Sequence, residues 1–306
     1  MKNQRKAYLF ALLSVAFWST MSTAFKLSLG FIAFDLLLFW SVLFAIAILG
    51  FILVFQGRLN ELKHQSKQEI ARSALMGLLN PFGYYLILFK AYELLQAQEA
   101  GVLNYTWPIV LVVLSVPFLG QRIGWMGFIA IFLSFAGLVV ISTKGKLSGL
   151  EFTNPPGVAL AVGSAFLWAL YWIINMRDKR EALSKIFINM LFGGAYITLY
   201  MLLFSSITIP VPKALLGAIY IGSFEMGITF VFWLLALKYS TNTAKVSNLI
   251  FLSPFIALFF IRIFVGEQIL LSTIIGLVLI VGGILLQQIE PKKLKRLWKK
   301  DKPNIV

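Results

Sequence analysis

A single glutamate, Glu225, lies at the centre of a long apolar segment bounded by Lys213 and Lys238. In a helix that rises about 1.5 Å per residue, this carboxyl lies roughly 18 Å from either end, which is the middle of a bilayer. A charge at that depth is costly and persists mostly where it faces a bundle interior or a wet cavity. Glu225 is therefore a candidate site residue. It could exchange a proton in step with a substrate, or pair with an amino group or another cation; a hydrogen-bonded structural carboxyl is the alternative.

Two further apolar segments contain polar residues beside a proline. Asn80 and Pro81 lie together in one of them, where the proline removes a backbone donor and bends a helix. The carbonyl that this frees needs a polar partner or water. In the next segment Asn104 and Trp107 stand three residues apart, just before Pro108, and so share a helix face. Such breaks are typical of helices beside a cavity, and a kink that only improves packing is the alternative.

Aromatic residues are also placed far from the predicted membrane surfaces. Trp168, Tyr171, Trp172 and Asn175 follow a helical spacing that forms one stripe, and Trp18 stands about twelve residues into its own segment. A buried indole N–H needs a hydrogen-bond partner, which a lipid-facing Leu or Phe does not. The predicted substrate-binding residues are Trp18, Asn80, Tyr84, Asn104, Trp107, Trp168, Trp172 and Glu225.

The elements that position these residues are transmembrane helices. The 306 residues are 59% hydrophobic, far above a soluble domain, and about 20 apolar residues suffice for each span. We predict an all-α polytopic membrane protein with the lipid bilayer as its surroundings. The ten predicted spans are 7–29, 32–55, 73–93, 97–119, 123–142, 156–176, 184–205, 214–237, 241–264 and 268–288.

The distribution of positive charge predicts the orientation. With ten spans, 21 of the 27 lysines and arginines fall on the side of both termini, and 6 fall on the other. Positively charged loops stay in the cytoplasm, so we expect a multi-pass protein of the cell membrane with both termini cytoplasmic. The net charge of +15 is explained by these loops and predicts no nucleic-acid partner.

The two halves of the chain resemble each other. A shift of 146 residues places Pro108 on Pro254 and Gly137 on Gly283. Because five spans is an odd number, the second copy would cross the membrane upside down, and inverted repeats of this kind enclose a site near the midplane. The predicted units are a first five-helix repeat at 1–146, a second at 147–290 and a basic tail at 291–306.

Several kinds of chemistry are excluded or unsupported. The chain has no cysteine, and its one histidine, His64, lies in a polar loop. No phosphate-binding loop of the GxxxxGK[ST] type occurs, so we expect no ATP hydrolysis by this chain. One deep carboxyl without a paired acid, nucleophile or metal ligands does not make an enzyme site. We therefore expect a carrier, not an enzyme, with no cofactor and no metal.

The duplicated motifs carry a family resemblance. The segments AFW at 16–18 and FLW at 166–168 correspond, as do AGVLNYTWPIVLVVLSVPFLGQR at 100–122 and VSNLIFLSPFIALFFIRIFVGEQ at 246–268. In these the chain resembles the drug/metabolite transporter superfamily, in its EamA-type branch of ten-span carriers with two five-helix repeats. The segment LNYTWP at 103–108 further resembles that of its aromatic amino acid exporters. Gln121 in the first repeat replaces the acidic residue that the second repeat has as Glu267.

The resemblance implies a secondary transporter, and an exporter of amino acids in particular. It also implies that Trp107, Tyr84 or Tyr85, and Trp168 contact the substrate. The expected partners are thus a small-molecule substrate and, for one of the two roles of Glu225, protons. A multidrug or organic-cation exporter is the main alternative, since Glu225 and the aromatic residues would suit a cation. Lipid and nucleotide-sugar carriers of the same fold are further alternatives, although no deep cationic residue is available for a nucleotide sugar.

Overall fold

Helices account for nearly all of the ordered backbone. The structure, a computed structural model, describes residues 2–63, 65–119, 125–146, 154–241, 246 and 248–287. Within those ranges it contains helices and connecting segments and no strand, which confirms the predicted all-α class. The predictions for His64, Gln121 and the basic tail at 291–306 lie outside the described residues.

Ten longer helical segments follow one another in the described ranges, numbered here α1 to α10, and a short helix, Asn60–Lys63, lies between α2 and α3. The first five are α1 Gln4–Leu29, α2 Phe34–Phe55, α3 Lys67–Leu94, α4 in two parts, Ala97–Asn104 and Trp107–Leu119, and α5 Trp125–Ser142. The second five are α6 Pro155–Met176, α7 Ala182–Phe204, α8 Pro212–Tyr239, α9 from the 3-10 turn Asn248–Leu252 to Val265, and α10 Leu271–Gln287.

The lengths and the exposed surface of these helices suit a bilayer. Seven of the described helices are long and apolar enough to cross a membrane, and α9 and α10 are apolar but shorter. Large apolar side chains remain outside the bundle, among them Phe132 at 71% and Leu202 at 69% exposure. Extended apolar surfaces of that kind mark contact with a membrane or with another protein, and the apolar span-length helices favour the membrane. The protein is a multi-pass membrane protein.

Polar caps fix several helix ends. The side chain of Asn3 accepts a hydrogen bond from the Lys6 amide, and Asn154 does the same for Gly157 directly before the two prolines that open α6. Ser66 and Glu69 form a reciprocal capping box at the start of α3. Each cap satisfies backbone donors that a helix start leaves free. The α3 helix therefore begins at Lys67, six residues before the predicted start at 73.

The contacts between helices repeat when each helix is replaced by its counterpart in the other half, which lies five helices away along the chain. The α3 helix packs on α6 and α7, and its counterpart α8 packs on α1 and α2. Likewise α4 packs on α6, and α9 packs on α1, while α2 pairs with α7 and α5 with α10. Such an exchange is what a two-fold relation between two five-helix units produces. It supports the predicted duplication, whose boundary at residue 146 stays a prediction.

The crossing of α5 and α10 repeats this exchange at the level of single residues. A Cβ on Gly137 would lie 2.6 Å from the carbonyl oxygen of Gly276, and a Cβ on Gly283 would lie 2.7 Å from that of Ala130. The 146-residue shift converts the first pair into the second. Small residues thus let the two backbones touch, which is a common way for helices to associate in membranes.

A polar network joins the loops on the side of the N-terminus. Arg58 forms ion pairs with Glu61 and Glu181, linking the α2–α3 and α6–α7 connections. Beside it, Arg180 lies 2.6 Å from the buried carboxylate of Asp178. Burial alone would raise the pKa of the Asp178 carboxyl, but the hydrogen bonds and the charge of Arg180 outweigh it and lower that pKa. Asp178 therefore stays ionised at neutral pH and anchors this end of the bundle.

The predicted orientation can be tested with single cysteines, because the natural chain has none. Ser206, between α7 and α8, and Lys179, between α6 and α7, are exposed at opposite ends. In intact cells a membrane-impermeant maleimide should label Ser206→Cys, and it should label Lys179→Cys only after permeabilisation. The reverse pattern would overturn the cytoplasmic placement of the termini.

The α5–α10 crossing predicts a difference between two glycines of the same helix. Gly276→Ala forces a methyl group into the backbone of α5 and should lower the free energy of unfolding by about 1–3 kcal/mol. Gly282→Ala is the control, because no described atom outside its own helix lies within 4 Å of the added Cβ. It should be neutral or stabilising by up to about 1 kcal/mol. Thermal unfolding in detergent measures both, and equal midpoints would contradict the close crossing.

Candidate functional site

A cavity of about 650 Å³ lies where helices from both halves meet. Its size is within the range of small-molecule sites. Aromatic and apolar side chains make up most of its lining, which α1, α3, α4, α6, α8, α9 and α10 supply. No Lys, Arg or His lines the cavity in the part of the chain that the structure describes, and Glu225 is the one acidic residue there.

Seven of the eight predicted site residues line this cavity: Trp18, Tyr84, Asn104, Trp107, Trp168, Trp172 and Glu225. Asn80 does not line it. It is buried in α3 at 1% exposure, where its amide lies beside the Tyr171 hydroxyl and near Asn189 of α7. That these residues contact a substrate stays a prediction.

Interruptions of the regular α-helix in α3 and α8 position the polar residues. At Leu78–Gly83 the α3 helix is kinked where Asn80 has an extended backbone, and at Ile221–Ile228 the α8 helix forms a π-helical turn. Turns of this kind are rare and frequently occur at functional sites. The sequence repeat is thus visible in the fold, because α3 and its counterpart α8 are interrupted at corresponding positions.

 The π-helical turn of α8 contains Glu225, which borders the cavity.

Glycines allow the broken part of α8 to pack closely on α2. A Cβ on Gly222 would lie 3.1 Å from the backbone nitrogen of Ala45, and a Cβ on Gly227 would lie 2.6 Å from a methyl of Ile48. In α3, Gly77 makes the equivalent approach to α7, where its Cβ would lie 2.8 Å from the nitrogen of Gly193. Both interrupted turns are therefore enclosed by protein, as irregular backbone at membrane depth must be.

The carboxylate of Glu225 is half satisfied. Its Oε1 accepts a hydrogen bond of 3.0 Å from the Tyr85 hydroxyl, and Tyr85 is fully buried. Its Oε2 is buried without a hydrogen-bond partner among the described residues. A buried acceptor of this kind is costly unless something binds it. The site can therefore accept a proton or a positively charged group at Oε2.

Asn104 is held at the break of α4 by two hydrogen bonds. Tyr84 donates its hydroxyl hydrogen to Oδ1 of Asn104 at 3.2 Å, and Asn104 donates from Nδ2 to Ser164 of α6 at 2.8 Å. Ser164 in turn donates to the carbonyl of Ala161 at 2.7 Å. This chain fixes the amide of Asn104 and joins α3, α4 and α6 beside the cavity.

Stacked rings form the side of the cavity built by α3 and α6. The rings of Tyr84 and Trp168 lie 4.7 Å apart and nearly parallel, and Trp172 meets Trp168 edge-on at 5.8 Å. Behind them Tyr171 stacks on Trp168 at 5.6 Å. The indole nitrogen of Trp172 is buried without a partner among the described residues, so it can donate a hydrogen bond to a bound molecule.

The sequence did not single out all of the lining aromatic residues. The ring of Trp233, which also lines the cavity, lies 5.5 Å from that of Trp18. It stands eight residues after Glu225, about 80° beyond two full turns of a regular helix, so the spacing offered only a weak signal for it. The other aromatic residues that line the cavity are Phe25, Tyr92, Tyr105 and Phe251.

The cavity is closed at the end remote from the N-terminus. There Ser22 of α1 and Tyr92 of α3 share a hydrogen bond of 2.6 Å, and Lys26 donates to the carbonyl oxygens of Tyr92 and Leu95. The carboxylate of Glu267 also accepts a hydrogen bond of 2.7 Å from the amide of Ala97, at the start of α4. These contacts join α1 to the end of α3, and the α9–α10 connection to α4, at that end of the cavity.

The opposite end is packed less closely. By the repeat, α6 should pack on α8 and α9 there, but in the described part of the chain it does not pack on them as α1 packs on α3 and α4, and its ring contact with α8 is that of Trp168 with Phe230 at 5.9 Å. The cavity extends towards this end between Leu111 of α4, Leu237 of α8 and Ile250 of α9, which are all partly exposed. The cavity is therefore closed by hydrogen bonds at the end remote from the N-terminus and less closely packed at the other end.

The combination of interrupted helices and a central cavity between two related halves defines the class. It is the architecture of multi-pass secondary transporters. The chain belongs to the EamA-like transporter family, whose model matches residues 5–143 and 155–287. This confirms the expected membership of the drug/metabolite transporter superfamily, and it indicates a transporter and not an enzyme.

Relatives with curated names agree with that class. An uncharacterized transporter of Clostridium kluyveri is 24% identical over 96% of this chain and 97% of its own length. The aromatic amino acid exporter YddG of Ancylobacter novellus is 27% identical, with 53% of this chain and 57% of the exporter covered. The YddG exporter of Escherichia coli is 24% identical over 67% of this chain and 77% of its own length.

A solved crystal structure has the same fold. It superimposes with a TM-score of 0.69 and covers 96% of this chain and 100% of its own, at 23% sequence identity. At that identity the similarity establishes the arrangement of the helices alone.

Proposed function

We propose that this protein is a secondary transporter of the cell membrane that exports small metabolites, with amino acids as the expected substrates. The observation that carries the proposal is the aromatic cavity of about 650 Å³, bordered by the interrupted turn of α8 and enclosed by helices of both halves. Its volume fits an amino acid with a large side chain. The similarity to exporters of aromatic amino acids supports the same substrate class.

Transport would proceed by alternating access. In the described state Ser22, Lys26 and Tyr92 close the end remote from the N-terminus. With the termini in the cytoplasm, the cavity would be accessible from inside the cell, as loading by an exporter requires. Release would need these contacts to open and α6 to close on α8 and α9, which is the rocking motion that inverted repeats allow.

The driving force would be a gradient and not ATP hydrolysis. Protons are the expected coupling ion in one of the two roles for Glu225, since its carboxylate borders the cavity and has one free oxygen. In the other role Glu225 binds a positively charged part of the substrate. The expected partners remain a small-molecule substrate and the bilayer, with no nucleic acid and no cofactor.

An organic-cation exporter is the second candidate. It is favoured by the same free carboxylate oxygen among tryptophan and tyrosine rings, because cations bind to the faces of aromatic rings. The two candidates differ in the groups that a substrate must carry, and competition between neutral amino acids and quaternary cations separates them.

Counterflow into liposomes tests the proposal. Purified protein is reconstituted, the liposomes are loaded with unlabelled phenylalanine, and the uptake of labelled phenylalanine is followed. We expect saturable uptake that other large neutral amino acids inhibit. No exchange of phenylalanine, together with uptake of quaternary cations, would overturn the amino acid assignment.

The cavity residues predict which variants lose transport. Trp168→Ala and Trp107→Ala should each raise the half-saturation concentration by roughly tenfold, because a stacked ring and its buried area contribute about 1.4 kcal/mol or more. Trp125→Ala is the matched control, since Trp125 is 77% exposed at the start of α5. It should leave uptake unchanged, and an equal effect of all three variants would argue against a role for the cavity.

A further inference from the structure

The cavity contains two buried polar groups with opposite hydrogen-bonding character. Oε2 of Glu225 is an acceptor and the indole nitrogen of Trp172 is a donor, and neither has a hydrogen-bond partner among the described residues. Both residues line the same cavity. Buried polar groups in folded proteins are nearly always paired. A molecule that binds in the cavity and pairs both groups must therefore carry both a hydrogen-bond donor and a hydrogen-bond acceptor.

The acceptor is held in place before any ligand arrives. The Tyr85 hydroxyl binds Oε1 of Glu225, and Tyr85 itself is fixed by ring contacts with Tyr84 at 4.6 Å and with Phe89 at 5.5 Å. The carboxylate consequently cannot turn both oxygens away from the cavity without losing that bond. Since no cationic side chain of the described residues lines the cavity, its partner must be a proton or come with the substrate.

The donor, the indole nitrogen of Trp172, lies on α6, whereas the acceptor Glu225 lies on α8. Trp172 of α6 meets Trp168 edge-on, and Trp168 stacks on Tyr84. The ring of Trp172 thus belongs to the aromatic side of the cavity, and its nitrogen has no hydrogen-bond partner among the described residues. An indole N–H can donate one hydrogen bond and cannot accept any, so it suits a carboxylate or carbonyl oxygen.

We propose that the transporter selects its substrate by an amino group, which Glu225 binds through Oε2 as an ammonium, while Trp172 donates to the carboxylate of the same molecule. The proposal rests on the transport function proposed above and names the substrate class as α-amino acids with large apolar or aromatic side chains. A carboxylic acid without an amino group would face Glu225 with like charge and would be rejected. An amine without a carboxylate would bind, but more weakly.

Three molecules with the same ring separate these contributions. Phenylalanine carries both groups, phenethylamine carries the amine alone and 3-phenylpropionate carries the carboxylate alone. Their binding is measured by the rise in unfolding temperature of the purified transporter, since a ligand of the native state stabilises it. Their inhibition of phenylalanine counterflow is measured in parallel. We expect the order phenylalanine, phenethylamine, phenylpropionate, with a difference of about tenfold or more between the last two, as for a hydrogen bond to a charged group.

Two conservative variants assign the groups. Glu225→Gln should weaken phenylalanine and phenethylamine by about tenfold or more, and it should leave phenylpropionate unchanged or improve it because the repulsion is gone. An improvement of one ligand cannot come from misfolding. Trp172→Phe keeps a ring but removes the N–H, and it should weaken phenylalanine while leaving phenethylamine unchanged.

The matched controls are exposed residues of the same type. Glu93→Gln removes a carboxylate that is 38% exposed and paired with Lys90 outside the cavity, and Trp125→Phe changes an exposed indole. Neither should alter the order of the three ligands. The comparison in the unmutated protein needs no variant at all, so the proposal stays testable if Glu225→Gln does not fold.

The outcomes separate this proposal from the transport function. Phenylalanine exchange that phenylpropionate inhibits as well as phenethylamine would overturn selection by the amino group while leaving transport intact. Binding in the expected order without exchange would overturn transport and retain the selection. An unchanged order of the three ligands in Glu225→Gln would overturn the role of Glu225 in binding. If that variant lost only the pH dependence of exchange, Glu225 would be a proton site, and its role in binding would again be overturned. An unaltered phenylalanine affinity in Trp172→Phe would overturn the part assigned to Trp172.

Discussion

The structure depends on two places where a helix stops being regular in the middle of the membrane. Lipid offers no hydrogen-bond partner to a backbone that leaves its ladder, so such a turn can exist only where protein encloses it. The kink of α3 and the π-helical turn of α8 meet this condition through glycines that bring them against α7 and α2. The arrangement of the bundle follows from that need, because the helices around the two turns also enclose the cavity.

The two halves use the same contacts, yet they do not occupy the same state. At the α5–α10 crossing the 146-residue shift converts one close backbone contact into the other. This crossing is therefore the same for both halves and need not change when the transporter changes state. The contacts of α1 with α3 and α4 have no equal partner between α6 and its neighbours α8 and α9 in the described chain. An approximate symmetry with unequal contacts at the two ends of the cavity is what a carrier with two exchangeable states requires.

Much of the fold followed from the sequence because it depends on periodic, apolar patterns. The all-α membrane fold and the seven predicted residues that line the cavity were accessible in this way. The position of Asn80 was not. The 146-residue shift aligns Asn80 with the residue after Glu225, so the two seemed equivalent, but only Glu225 of α8 lines the cavity. Trp233 and Tyr92 were missed because an aromatic residue in a membrane helix is usually packing or interface, and only three-dimensional contacts distinguish these two.

The concentration of tryptophan around the cavity has an optical consequence. Five of the eight tryptophans in the chain, Trp18, Trp107, Trp168, Trp172 and Trp233, line this one space. The intrinsic ultraviolet emission of the protein therefore originates largely from the cavity, and closely spaced rings such as Trp168 and Trp172 exchange excitation energy. Changes in the polarity or occupancy of the site should consequently appear in the spectrum of the unlabelled protein.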